Sequence, residues 1–294
     1  MDIDFIIQQA LKGVLLPAAI SGIIFLFFNR WAPSQLKPFG AVAAVAAGFI
    51  AGYLGVQTYV YPPVSLSQWL PHVALVAAVW GVLECCLKTP RLAVHALRLA
   101  AFAYVLYELF ETRLRHRSPR VRWSTDEAIL NFLYPLLIFL VVGFIFDWLL
   151  RKNTEAESRE VAILPSALVL GSSLAAVSIV LSGSGIIAQI IGVFTAAVGA
   201  VMLLAWLLPN AKLNVSASPL ITSLLTMLVW LGGHFYASLP LNSALILMLS
   251  PAFLAIPLKL KLWQNTLVYL ALIGLSNGLA VVIAYQSSLS RYGS

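Results

Sequence analysis

The fourth apolar segment of the chain carries ionisable side chains at helical spacing. In a helix, His95, Arg98 and Glu108 lie along one stripe. A centrally placed arginine or aspartate costs about 2.5 to 3.5 kcal/mol on membrane-insertion scales. If this segment crosses a bilayer, Arg98 and Glu108 must therefore turn toward a bundle interior or an aqueous cavity. The stripe predicts a polar pathway or an anion site, and Gln189 of a later segment is a further polar candidate.

Two other acidic residues, Glu84 and Asp147, lie near the ends of their apolar segments. We expect each to be a solvated residue at a helix terminus. All eleven acidic residues lie at or before Glu160, and the 134 residues that follow contain none. Coupled pumps usually keep carboxylates inside the bilayer. Any proton or sodium coupling would therefore depend on the first half of the chain.

The composition predicts the elements that must position these side chains. Hydrophobic residues make up 61% of the chain, charged residues only 10%, and the mean hydropathy is +0.94, whereas soluble domains carry about 25% charged residues. The apolar residues come in runs close to the roughly 20 residues that span hydrocarbon as a helix. We predict an all-α fold, a polytopic transmembrane helical bundle surrounded by lipid bilayer, and we expect the bacterial inner membrane as its location.

About ten spans are predicted within a single integral membrane domain, residues 1–294. They cover residues 6–28, 39–57, 69–87, 91–110, 129–149, 161–181, 185–208, 217–235, 241–257 and 262–285. A division into halves 1–160 and 161–294 would give five spans each and opposite orientations, the plan of many secondary transporters. The alternative is nine spans, with residues 91–110 lying on the membrane surface as an amphipathic helix and their charges in water.

The distribution of lysine and arginine sets the orientation, because cytoplasmic loops carry the excess. With ten spans and the amino terminus outside, the inner loops hold ten of these residues and the outer regions seven. The nine-span alternative gives eleven against seven with the downstream loops inverted. We favour ten spans because the misplaced charge then lies in one loop.

That loop contains five arginines within ten residues: Arg113, Arg115, Arg117, Arg120 and Arg122. On a membrane surface each charge attracts anionic lipid headgroups by about 1 kcal/mol. On the outer face the same run would meet a partner subunit or an anionic substrate. Nucleic acid is not an expected partner, since no fold presents aromatic residues between these basic ones.

Small residues form two further stripes, and we interpret both as helix-packing faces. They comprise Ala44, Gly48 and Gly52 in the second span, and Gly185, Gly192, Ala196 and Gly199 in the seventh. The turn LSGSG before the seventh span is predicted to be a tight connection, with an anion site at the following helix as the alternative.

No motif for catalysis, metal binding or a cofactor is present. The four histidines are scattered, and the sequence lacks GxSxG and HExxH patterns. We therefore expect neither an enzyme nor a cofactor. The favoured function is transport of a small solute or lipid, for which Arg98→Ala or Glu108→Ala should abolish transport. The alternative is a non-catalytic subunit or scaffold, with partner membrane subunits or a homo-oligomer.

Overall fold

The computed structural model describes residue 8 and residues 10–86, 91–115, 124–155, 160–208, 212–258 and 260–292. Within these ranges the chain is helical and contains no β-strand. Nine of the described helices are long and apolar enough to cross a membrane. The predicted all-α class of helical membrane bundle is confirmed.

Ten helical segments follow one another in the described ranges. They are α1 (Leu11–Arg30), α2 (Gly40–Val56), α3 (Leu66–Cys86), α4 (Arg91–Arg115), α5 (Thr125–Glu155), α6 (Ile163–Leu181), α7 (Gly185–Leu207), α8 (Val215–Tyr236), α9 (Leu241–Ala255) and α10 (Leu262–Tyr292). The short one is α9, with 9 α-helical residues followed by 6 in 3₁₀ conformation. Because a 3₁₀ turn rises about 2 Å per residue and an α-helix about 1.5 Å, α9 still extends about 25 Å.

Contacts between distant loops define one end of the bundle, which we call face I. Asn153 donates a hydrogen bond to the Leu213 carbonyl at 2.8 Å, and Lys152 donates one to the Leu254 carbonyl at 3.2 Å. Ser216 donates to the carbonyl of Pro38 at 3.1 Å. The segments α1, α5, α7 and α9 therefore end at face I. The segment α3 ends there too, since a Cβ added at Gly81 would overlap the carbonyl oxygen of Ser216.

The opposite end, face II, is joined by aromatic contacts. The ring of Phe110 lies 5.8 Å from Phe132 and 5.7 Å from Phe235, between ring centroids. These residues lie near the end of α4, the start of α5 and the end of α8. With the contacts at face I, they make all ten segments run alternately between the two ends, including the short α9.

The fourth segment, for which the sequence left two placements open, runs antiparallel to α5. Arg98 contacts Asp147, the ring of Phe102 stacks 4.2 Å from that of Phe139, and Phe110 contacts Phe132. As the numbers rise along α4 they fall along α5, so the two helices lie side by side. This arrangement matches the ten-segment prediction and differs from a helix lying across the end of the bundle.

The centre of the bundle is α8. In an apolar stretch of 18 residues within α8, 94% of the residues are buried. In the corresponding stretches of α1 and α4 the share is 22%. The helix α8 packs against α3, α5 and α9, and its second half, Thr226–Tyr236, is a π-helix.

The small residues of α2 lie where α1 approaches closely. A Cβ added at Gly48 would overlap the Ser21 hydroxyl and lie 2.6 Å from the carbonyl oxygen of Pro17. At Gly52 it would lie 2.6 Å from Val193 of α7. Ala44 is fully buried, and its carbonyl accepts a hydrogen bond from Ser21 at 2.8 Å.

The packing stripe expected in α7 stays a prediction, and its small residues have more room around them than those of α2. Apart from the neighbouring residues and backbone of α7 itself, no described atom lies within 4 Å of a Cβ added at Gly185 or Gly192, and at Gly199 the nearest is Val169 at an ordinary 3.8 Å. Ala196 is only half-buried. The contact between α7 and α6 instead includes a hydrogen bond from Thr195 to Ser172 at 2.8 Å. Small residues permit two helix backbones to approach closely, but tertiary packing decides at which of these residues a neighbouring helix lies.

The LSGSG connection between α6 and α7 is a tight turn. Gly183 has a φ of 108°, which favours glycine. Its amide donates to the carbonyl of Val180 at 3.0 Å, and the amide of Ser184 donates to that of Ile179 at 3.1 Å. The Ser184 hydroxyl accepts a hydrogen bond from the amide of Ile187 and so caps α7. The turn thus uses its own polar groups.

The division into halves 1–160 and 161–294 stays a prediction. Across this boundary α7 packs against both α1 and α2, and α8 packs against α3 and α5. The two sets of five segments therefore interlock along a shared apolar core.

Candidate functional site: an ion-pair cluster between two cavities

Arg98 of α4 forms the centre of a buried polar cluster. Its Nη1 donates a hydrogen bond to Asp147 Oδ1 of α5 at 3.0 Å. Its Nε and Nη2 donate to the two carboxylate oxygens of Glu84 of α3. Such a paired contact between a guanidinium and a carboxylate is the strong, geometrically specific form of ion pair. One arginine thus ties together three helices.

Two more side chains complete this cluster through Asp147. His95 Nε2, one turn before Arg98, lies 3.3 Å from Asp147 Oδ2, and the Ser218 hydroxyl of α8 donates to Oδ1. Between 5% and 11% of the side-chain surface of Arg98, His95, Glu84 and Asp147 is exposed. The four charged or titratable groups are therefore largely withdrawn from solvent, and we call them, with Ser218, the Arg98 cluster.

The cluster lies toward the face I end of the bundle, with Glu84 in the last turn of α3 and Ser218 in the first turn of α8. Arg98 follows the start of α4 by seven residues, or about 10 Å along the axis. A single charge at such a depth is costly, but two carboxylates that accept its hydrogen bonds offset that cost. The pairing explains how an arginine is accommodated in an apolar helix.

An apolar cavity lies on the face II side of Arg98, between α3 and α4. It has a volume of about 240 Å³, and α5 and the start of α8 form its back wall. The cavity ends at Arg98, and its lining includes five large aromatic side chains: Trp69, Trp80, Phe102, Tyr104 and Phe139. We call this cavity the α3–α4 cleft.

A second cavity of about 240 Å³ lies on the face I side of the same arginine. Its lining is charged: Glu84, His95, Arg98 and Asp147 of the cluster, together with Arg91 and Arg151. Three arginines therefore face two carboxylates, so the formal charge of this wall is positive when His95 is neutral. We call it the charged cavity.

At face II, aromatic residues surround the first turns of α3. The Tyr59 hydroxyl lies 3.0 Å from His72 Nε2, and the Tyr59 and His72 rings are 5.5 Å apart. Tyr61 and Trp69 also contact the His72 ring, at 6.2 and 6.3 Å. Since His72 and Trp69 line the α3–α4 cleft, this group borders the cleft at the end opposite Arg98.

The structure brings together only part of the predicted stripe. His95 and Arg98 share the cluster. Glu108, about 15 Å farther along α4, is half-buried and accepts a hydrogen bond from the exposed Tyr104. Gln189 lies in α7, which packs against α1, α2 and α6, and it lines neither the cleft nor the charged cavity.

The two carboxylates that pair with Arg98 are the ones for which the sequence predicted solvated helix ends. That prediction is wrong for Glu84 and Asp147, because both side chains are about nine-tenths buried. The sequence could have indicated this pairing, because the ten predicted spans place both carboxylates near face I at about the depth of Arg98. Ser218 carried no signal, because a serine beside a proline commonly begins a helix.

The predicted lipid or partner contact through the arginine run stays a prediction. Arg113 and Arg115 belong to α4, but their side chains are not described. Arg117, Arg120 and Arg122 lie outside the described residues.

Metal binding was not expected from the sequence. Among the residues placed by the structure, no three His, Cys, Asp or Glu side chains group as a metal ion would require.

Comparisons with protein families, curated proteins and solved structures find no match. A function for the Arg98 cluster therefore depends on its geometry and chemistry.

Proposed function

We propose that this chain is a membrane transporter for a small solute or a lipid, with its path along α3, α4, α5 and α8. The observation that carries the proposal is that Arg98 lines two cavities at once, the apolar cleft and the charged cavity. A residue in that position closes the path between them while its ion pairs are formed. Breaking those pairs would open it.

The energetics of the cluster suit a gate. Two carboxylates compete for one guanidinium, so a change at Glu84 leaves Asp147 as a partner, and the reverse. Because buried pairs nearly balance desolvation against attraction, a ligand that supplies alternative hydrogen bonds can replace one of them at modest cost. The two carboxylates come from different helices, so such an exchange would also release α3 from α4 or α4 from α5.

Polar groups inside membrane proteins commonly mark transport paths. The arrangement here agrees with that pattern, since the buried charges occupy one sector of the bundle. The other half of the bundle, around α1, α2, α6 and α7, is held by apolar contacts and by serine and threonine hydrogen bonds such as Ser21 to Ala44. Alternating access moves one group of helices against another around the binding site, and the ion-paired helices and the apolar helices are the two groups that this proposal requires.

The proposal is tested by cysteine accessibility, which needs no knowledge of the substrate. In a Cys85→Ser/Cys86→Ser background, Val94→Cys reports on the charged cavity and Ser223→Cys on the cleft. In sealed vesicles, a membrane-impermeant maleimide added at face I should label position 94 but not position 223. Adding Arg98→Gln should make position 223 reactive from face I.

The control variant is Lys261→Gln, which removes an exposed charge at face I and lies outside both cavities. It should leave the labelling of position 223 unchanged. Unchanged labelling of position 223 in Arg98→Gln, with the protein correctly folded, would show that Arg98 closes no path. The gate, and with it the proposed route, would then be rejected.

Transport itself is measured in proteoliposomes loaded by exposure to a mixed small-molecule extract. Protein-dependent accumulation that disappears in Arg98→Gln would support the proposal.

The alternative role, a subunit of a larger complex in the bacterial inner membrane, predicts a fixed polypeptide partner on mild extraction. A stoichiometric partner together with no protein-dependent movement of solute or lipid would favour that alternative.

A further inference from the structure

We propose that the substrate is an anionic amphiphile, a membrane lipid with an acidic headgroup, which enters the α3–α4 cleft sideways from the bilayer. This inference rests on the proposed function and adds the substrate class and its direction of entry. The reasons are the position of the cleft opening, the size and lining of the cleft, and the sign of the charge at its inner end.

The opening of the cleft lies halfway along the helices. Val76 of α3 and Tyr104 of α4 line it, and 61% and 60% of their surfaces are exposed. Both residues are near the middle of helices of span length, so they face the hydrocarbon region of a bilayer. A molecule reaching this opening comes from the lipid phase.

The size of the cleft also favours a lipid. Pockets that enclose a drug-sized ligand measure about 300 to 1,000 Å³, and the cleft is smaller at about 240 Å³. A ligand held there keeps part of its length outside, which suits an acyl chain that stays among other chains. The apolar and aromatic wall makes the same contacts with a chain that the bilayer makes.

Charge selects the headgroup. The cleft ends at Arg98, and the charged cavity beyond it adds Arg91 and Arg151, three arginines against Glu84 and Asp147. A cationic headgroup would meet this excess of arginine, whereas a phosphate or carboxylate offers Arg98 the paired oxygens that Glu84 now provides. The indole N–H of Trp80, which also lines the cleft, has no acceptor among the described residues. This nitrogen is buried, so it can donate to such a headgroup only after the indole ring turns toward the cleft.

The test is lipid movement in proteoliposomes, measured by dithionite quenching of acyl-labelled fluorescent phosphatidylglycerol and phosphatidylcholine. We expect phosphatidylglycerol to move about tenfold faster, the factor that corresponds to about 1.4 kcal/mol. Arg98→Gln should remove this preference. Native mass spectrometry should show phosphatidylglycerol retained by the wild type and lost from Arg98→Gln.

A steric variant tests the cleft itself. Ala101→Trp places a large side chain in the cleft lining and should stop lipid movement. Val180→Trp adds the same bulk at an exposed position of α6, away from the cleft, and should have no effect. Normal movement in Ala101→Trp, or equal rates for the two lipids, would overturn the inference.

The two proposals fail differently. Protein-dependent uptake of a water-soluble anion, without lipid movement, would keep the transporter and reject the lipid substrate. If the wild-type protein moves neither lipid nor a water-soluble anion, and position 223 stays unreactive in Arg98→Gln, both proposals are rejected.

Discussion

Arg98 and Asp147 are separated by 49 positions in the sequence, yet Nη1 of the first lies 3.0 Å from Oδ1 of the second. This contact fixes α4 against α5 at the same depth at which Glu84 fixes α3 against α4. One guanidinium therefore sets the relative positions of three helices, and the two cavities that meet at Arg98 follow from it.

Arg98→Gln should destabilise the folded protein by about 3 to 5 kcal/mol, because it leaves two buried carboxylates without a cation. In Arg98→Gln/Asp147→Asn one of those charges is gone, so part of the loss should be recovered. Equilibrium unfolding in detergent micelles measures both effects, with a coupling of about 0.5 to 3 kcal/mol expected for residues in contact. Additive effects would mean that the two side chains are not linked.

Arg98→Gln and Glu108→Gln should differ in transport, although the sequence placed both residues on one stripe. Arg98 closes the path between the cavities, while Glu108 lies about 15 Å away and bonds to the exposed Tyr104. We expect protein-dependent accumulation and the preference for phosphatidylglycerol to be lost in the first variant and retained in the second. Equal loss in two well-folded variants would restore Glu108 to the pathway.

Gly48→Ala and Gly192→Ala form a matched pair in two transmembrane helices. An added methyl at Gly48 overlaps Ser21 and should cost about 1 to 3 kcal/mol by overpacking. At Gly192 no described atom outside the local backbone and adjacent residues of α7 is within 4 Å of the added methyl, so the change should be neutral or stabilise by about 0.5 to 1 kcal/mol. Thermal unfolding of both variants checks the difference, and a costly Gly192→Ala would show that this stripe packs after all.

Asn277→Leu should raise the unfolding temperature. Asn277 is fully buried in α10, and neither polar atom of its amide has a hydrogen-bond partner among the residues described. A buried unsatisfied polar group costs about 1 to 3 kcal/mol, and an apolar side chain of similar size removes that cost. Asn242→Leu, at an exposed position, is the control. A lower unfolding temperature for Asn277→Leu would show that the amide binds a partner in the membrane.

The alternating path of the ten segments predicts the sidedness of the loops. In the background without cysteines, Ser34→Cys and Leu260→Cys at face I should be labelled from one side of a sealed vesicle. Tyr61→Cys and Leu241→Cys at face II should be labelled from the other. Face I should be cytoplasmic, following the lysine and arginine count. Labelling of positions 241 and 260 from the same side would mean that α9 does not cross.

The general form of the protein was predictable because apolar runs of span length leave little choice of structure. In hydrocarbon every backbone N–H and C=O must be bonded internally, so such runs fold as helices. The predicted positions of α2, α6, α7 and α8 agree with the structure to within a few residues. Among the described segments, only α9 falls short of span length. Its last six residues, Ser250–Ala255, form a 3₁₀ helix with Pro251 in the first turn.

The site was predictable only in part. A helical stripe can be read from spacing, and it correctly placed His95 and Arg98 together. It could not supply their partners, because Glu84 and Asp147 belong to other helices, and spacing along one helix says nothing about contacts between helices. The same limitation applies to the glycines, since Gly48 and Gly192 occupy equivalent patterns but only Gly48 meets a neighbour.

The sequence by itself determined that the chain is a helical membrane protein of about ten segments with one strongly polar helix, because hydropathy and backbone hydrogen bonding are local properties. Tertiary structure alone decided which carboxylates pair with Arg98, that α4 runs beside α5, and that two cavities meet at one arginine. These depend on which helices become neighbours and at what depth. That choice is made by packing across the whole bundle and is not encoded in the spacing within any single segment.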